Sequence, residues 1–150
     1  MTTGYANLFW IDRRKHLRLA HAGTLFPVFV ADVRKTDLLP LGQVAVRLIR
    51  NELGMENLAP DALGELDPNS VRIAKTASRT VLGYMNETAK YCEHAIARHR
   101  GLEQCDIGSL NREIRRELHL SRRPPGYFVP IDLVMTRSGA QNPANLGIMT

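Results

Sequence analysis

A chain of 150 residues with 44% hydrophobic and 23% charged residues has the composition of one ordinary globular domain. A domain of that length buries about 70% of the surface its unfolded form exposes, which excludes the disordered class and removes any need for a disulfide or metal to fold. The formal net charge is +5, and sixteen of the twenty basic residues are arginine, the cation suited to a bidentate grip on phosphate or carboxylate.

The chain opens with three segments of strand character. Tyr5–Asp12, His16–His21 and Leu25–Asp32 carry period-two, β-branched or aromatic signals, broken at Asp12-Arg13-Arg14-Lys15 and Ala22-Gly23-Thr24. They predict a three-stranded antiparallel meander. Leu17 and Leu19 fall on one face of the second strand and His16, Arg18 and Ala20 on the other, so one face is expected to be core and the other partly wet. Pro27 lacks an N–H for a ladder bond and marks an edge strand or a bulge.

From Leu41 the period becomes helical through Val44, Ala45, Leu48 and Leu53, with Gly54 as the stop. Asn57–Asn69 reads as loop with one short helical turn, and Val71–Thr76 as a fourth strand. Leu82, Met85, Ala89, Cys92 and Ile96 then give the longest helix, Val81–Arg100, ending at Gly101. Asp106 caps a predicted third helix with the stripe Ile107, Leu110, Ile114 and Leu118. Tyr127–Met135 is expected to dock as an irregular segment or edge strand. The fold class is therefore α+β: an antiparallel sheet of about four strands with two or three helices on one face, forming a single domain over 1–137 with a flexible tail over 138–150.

The most informative stretch is Ile73–Asn86, where strand pattern passes into helix pattern across small and polar residues. Lys75, Ser78, Arg79 and Thr80 meet a helix N-terminus there, and Asn86 lies close to the apolar stripe. Unpaired first-turn N–H groups and the helix dipole make this a candidate anion site. The competing reading is that Ser78 or Thr80 only caps the helix while Lys75 reaches water.

A second candidate is the cluster Arg112, Arg115, Arg116, Arg122 and Arg123, five arginines faced locally by Glu113 and Glu117 alone, which predicts a basic ridge. Arg13 and Arg14, with Lys15, form a further patch or simply keep a turn soluble. Cys92, His94, His99 and Cys105 do not match a zinc spacing, so no metal or other cofactor is expected. His16 and His21 show neither a carboxylate partner nor a nucleophile in the sequence.

Three blocks, Y-A-N-L-F-W-I-D-R-R-K-H-L from Tyr5, I-A-K-T-A-S-R-T-V-L-G-Y-M-N-E from Ile73 and L-N-R-E from Leu110, resemble an uncharacterised bacterial domain family sometimes carried on mobile elements. The likeness is most specific at Lys75, Thr76, Val81, Leu82, Gly83, Met85 and Asn86. This chain departs from the family at Gly4, usually aromatic, at Tyr84, usually small, and at Glu87, usually aspartate. The resemblance implies no activity, but its mobile-element context implies a regulatory or anti-defence role.

The charge and the arginine clusters predict a small binding protein that recognises an anionic partner, either nucleic acid or a nucleoprotein complex, with a protein partner as a further possibility. Two alternatives stay open. One is a toxin-like ribonuclease or nucleotide-dependent enzyme centred on Lys75, Arg79 and Asn86, against which stands the lack of a general base in that block. The other is an oligomerising module that uses an aromatic strand face of Tyr5, Phe9 and Phe29. With two cysteines, no leader pattern and no apolar run of spanning length, a cytoplasmic protein with reduced thiols and no membrane partner is expected.

Overall fold

The computed structural model describes residues 4–11, 13–73, 79–122 and 125–140. Gly4–Ile11 (β1), Arg14–His21 (β2) and Pro27–Val30 (β3) form the predicted meander, with Tyr5 opposite Ala20, Phe9 opposite His16 and Arg18 opposite Phe29. Pro27 opens β3 at the sheet edge, where its missing N–H removes no interior ladder bond. Val71–Ile73 (β4) joins the far side of β1, pairing Gly4 with Val71 and Ala6 with Ile73.

That last pairing is parallel, so the sheet, ordered β3-β2-β1-β4, is mixed rather than wholly antiparallel. The reason is the connection. Between β3 and β4 the chain makes Leu41–Met55 (α1) and a long return, which carries it across the sheet instead of turning back in a hairpin. Of the predicted fourth strand, residues 74–76 lie outside the described residues.

Helices cover both faces. On one, Ala6, Leu17, Leu19 and Val28 pack with Val46, Ile49 and Leu53 of α1 and with Ile131 and Val134 of Pro130–Ala140 (α4). On the other, Ile11 and Phe29 pack with Cys92, Ala95 and Ile96 of Arg79–Arg98 (α2) and with Leu110 and Ile114 of Ile107–Ile114 (α3), while Ala20 meets Tyr84 and Met85 of α2. The expectation of helices on one face is corrected, and with it that of a wet face on β2, where all six residues from His16 to His21 are buried. Tyr5 and Phe9 are packed against these helical clusters and Phe29 lies within one, so their face is not a free contact surface.

The helix ends follow local rules. After α1 the chain closes a Schellman turn: Leu58 N–H donates to the Leu53 carbonyl at 2.9 Å and Asn57 N–H to that of Gly54 at 3.0 Å, with Asn57 at φ 59°. Asn57, not Gly54, takes the left-handed position. Asp106 caps α3 as expected, accepting from Ser109 N–H at 3.2 Å. That helix stops at Ile114, however, and Leu118 is exposed. His119–Arg122 (β5) and Pro125–Phe128 (β6) then pair as a hairpin, and α4 begins at Pro130, where a missing N–H is harmless. Tyr127–Met135, expected as an irregular segment or edge strand, is thus the end of a strand followed by the start of a helix.

Candidate functional site

The first turns of α2 lie over β2, and the contact centres on Arg18. This side chain is fully buried. One guanidinium nitrogen, Nη1, donates to the Met85 carbonyl, and the guanidinium carbon stands 5.7 Å from the Tyr84 ring centroid. Among the described residues Nε and Nη2 have no hydrogen-bond partner, nor has Oδ1 of Asn7, which is paired with Arg18 across the sheet. Burial lowers the Arg18 pKa to about 10, so the group stays charged at neutral pH. A buried cation held by a carbonyl and an aromatic face, with no carboxylate hydrogen-bonded to it among the described residues, is a costly arrangement.

Tyr84 fixes the roof of this contact. Its hydroxyl donates to the Leu25 carbonyl at 2.6 Å, and burial raises its pKa well above the usual phenol value despite the nearby Arg18. His119 of β5 meets the Tyr84 ring edge-on at 4.6 Å and lies 5.5 Å from Phe128. Its Nδ1 is 3.1 Å from Glu87 Oε2 of α2. A carboxylate only accepts, so Nδ1 is the nitrogen that carries a proton toward Glu87, and Nε2 is buried without a hydrogen-bond partner among the described residues. The structure therefore brings together a histidine and an orienting carboxylate from positions 119 and 87, a pairing that neither sequence block shows alone.

The predicted anion-site residues are not all gathered. Arg79 is exposed in the first turn of α2, and Asn86 is exposed on the same side two turns later. Seven residues of helix separate them by roughly 10 Å along the axis, too far for one small anion to touch both the Asn86 amide and the first-turn N–H groups. Thr80 belongs to α2, but its side chain, like Lys75 and Ser78 altogether, lies outside the described residues.

The expected arginine ridge does not include Arg115. Arg115 is only 1% exposed, with its guanidinium carbon 4.6 Å from the Phe26 ring centroid, and it donates to Glu52 at 2.7 Å and to Glu56 at 3.0 Å. Arg116 grips the same Glu56 at 2.6 Å, and the hydrogen bonds from Arg116 and then Arg115 hold the Glu56 carboxyl below its usual pKa. The opposing carboxylates come from the last turn of α1 and its C-cap, some sixty positions away, and are invisible to any count of local charge. Arg112 is exposed. The side chains of Arg122 and Arg123 lie outside the described residues.

At the β1–β2 hairpin end, Arg14 contacts Glu103 at 3.4 Å and Asp32 at 3.8 Å. Arg13, at φ 64°, is exposed. Trp10 is 65% exposed, and the Lys15 ammonium stands 5.4 Å from its ring centroid.

Two sequence candidates for chemistry become structural. His16 accepts from Asp32 N–H at Nδ1 (3.0 Å) and lies 3.2 Å from the Ile11 carbonyl at Nε2, which fixes a neutral ring protonated on Nε2 between Phe9 and Phe29. Cys92 is buried and its thiol pushed up to about 12, which makes it a poor nucleophile, while His94 of the rejected zinc set is exposed. Among the described residues, no group of three or more His, Cys, Asp or Glu could hold a metal ion, and no helix is long and apolar enough to cross a membrane.

Arg18 was missed because its alternation with Leu17 and Leu19 suggests a solvent-facing residue. The signal that could have found it is the aromatic content of its own face, Tyr5, Phe9 and Phe29, which requires a covering layer. For Glu87 and His119 no local signal exists.

A family model described as a domain of unknown function (DUF6933) matches residues 5–133, and the chain belongs to that family. No curated protein and no solved structure matches the chain.

Proposed function

For this member of a family without an assigned activity, we propose a small binding protein that recognises an anionic partner, nucleic acid or a nucleoprotein complex. The observation that carries the reading is the β1–β2 hairpin end, where the chain's single tryptophan is 65% exposed beside Lys15, with Arg13 exposed at the turn. An exposed indole flanked by cations is the combination that stacks an unpaired base while neutralising its phosphates. The net charge of +5 favours the same class of partner at long range. A regulatory or anti-defence action on a nuclease complex in the cytoplasm is one form such binding would take. The two free cysteines, Cys92 and Cys105, suit a reducing compartment.

Because Trp10 is the only tryptophan, its fluorescence reports on this surface directly. Titration with short single-stranded DNA and RNA is expected to quench it with an affinity that falls as salt rises, and Arg13→Glu with Lys15→Glu is expected to abolish the quench without lowering the melting temperature. Quenching that is insensitive to salt, or unchanged in the double variant, would remove the hairpin from the reading.

The ribonuclease reading has one supporting observation, the Glu87-oriented His119, a histidine from a distant strand that would have to become accessible to act as the general base that the Ile73–Asn86 block lacks. Cleavage recorded in the same tubes, lost in His119→Ala and retained in Arg13→Glu, would favour it over simple binding.

A further inference from the structure

The face of the sheet that carries Leu8 and Leu17 is incompletely covered. These two residues pair in register across β1 and β2. Opposite them stand the short 3-10 turn Lys35–Leu38 and the residues that lead into α1, Leu39 and Leu41. The two walls do not close, and they leave a groove of about 440 Å³ lined by leucines 8, 17, 38, 39 and 41. Leu8 at its mouth is 45% exposed and Leu39 is 62% exposed. The polar residues on the lining are Asn7 and Lys35. The one carboxylate of the same turn, Asp37, accepts from Arg34 N–H at 2.9 Å.

A groove of this volume is in the range of small-ligand sites, which are mostly apolar with one or two polar groups that set orientation. The leucine walls offer no hydrogen bond to a nucleobase edge, whereas they match a saturated or aryl hydrocarbon body. Lys35, the one cation among the described lining residues, selects the charge of the head. We propose that this groove binds a small amphipathic monoanion, an aliphatic or aryl carboxylate whose hydrocarbon part lies along Leu8, Leu39 and Leu41 above the buried Leu17 and Leu38 and whose carboxylate meets the Lys35 ammonium. Burial of the body supplies most of the affinity and the ion pair supplies the preference among heads. The site is separate from Arg13 and Lys15, so it stands whether or not the hairpin binds nucleic acid.

The test uses the full chain and three probes with the same hydrocarbon body, decanoate, decanol and decylammonium, each below its micelle concentration. Decanoate is expected to displace anilinonaphthalene sulfonate from the protein and to raise the melting temperature progressively with concentration, with decanol weaker and decylammonium weakest. Lys35 is exposed, so Lys35→Glu should fold normally; it is expected to weaken decanoate about tenfold, to leave decanol unchanged and to strengthen decylammonium. Leu39→Asp, also at an exposed position, is expected to weaken all three. Equal binding of the three probes, or an unaltered order in Lys35→Glu, would overturn the proposal by showing a surface that takes any detergent. Light scattering that shows a dimer with no probe uptake would overturn it in favour of a second copy seated in the groove.

Discussion

Arg18 is the residue whose energetics are least expected for a small domain. A guanidinium cannot shed its charge at neutral pH, and here burial withdraws it from water while, among the described residues, only one of its nitrogens is hydrogen-bonded. The contact with the Tyr84 face returns part of the loss. If Arg18 serves packing alone, Arg18→Met should leave the protein as stable as before or more stable by about 1–2 kcal/mol, because a linear apolar side chain of similar length removes the desolvation cost. Chemical denaturation monitored by Trp10 fluorescence checks this. A loss of more than about 2 kcal/mol would show that the guanidinium contributes net stability in the folded state.

At the scale of elements, helix ends are settled by backbone conformation as much as by composition. α2 closes with Gly101 N–H donating to the Ile96 carbonyl at 2.9 Å and Arg100 N–H to that of Ala97 at 3.0 Å, which places Arg100 itself in the left-handed region at φ 65°. An arginine there carries steric strain that glycine does not, so Arg100→Gly is expected to stabilise the protein by about 1 kcal/mol, a rise of a few degrees in the melting temperature by calorimetry. The start of α1 shows the opposite constraint. A Cβ on Gly42 would overlap the Pro68 carbonyl, so the helix approaches the loop before β4 only because no side chain stands between them. Edge protection is also handled locally: the Asn111 side chain of α3 accepts from Phe29 N–H at 2.7 Å and donates to the Phe29 carbonyl at 2.8 Å, closing one residue of the open edge of β3.

At the scale of the whole molecule, the layers on the two sides of the sheet are tied by Arg115. It leaves the end of α3, passes Phe26 and reaches Glu52 in the last turn of α1 and Glu56 at its C-cap, and its carbonyl accepts from Ile131 N–H of α4 at 2.9 Å. Glu56→Gln leaves the Arg115 guanidinium buried with a weaker partner and is expected to cost about 3 kcal/mol. The pH dependence has a definite sign. The folded pKa of Glu56 lies below the usual glutamate value of 4.5, so the stabilisation is present above that value and is lost as pH falls through the folded one. Melting temperature should therefore fall as pH drops below about 4.5, and the fall should be shallower in Glu56→Gln than in the parent chain. Equal slopes in the two proteins would place the acid sensitivity elsewhere.

Local pattern alone determined the α+β class, the meander with Pro27 at its edge, the long helix within two residues of its ends and the Asp106 cap, because each depends on periodicity or on chemistry within a few positions. Only the tertiary structure decided which side of β1 receives β4, that helices cover both faces, and that Arg115 is neutralised while Arg13 stays free of the α1 carboxylates. The candidate site divides the same way. Arg79 and Asn86 were legible as polar positions on a helix, but the meeting of Arg18 with Tyr84 and of His119 with Glu87 joins residues more than thirty positions apart. A sequence displays the spacing of side chains along one strand or helix; the packing of layers brings distant charges within reach, and burial determines what each of them costs.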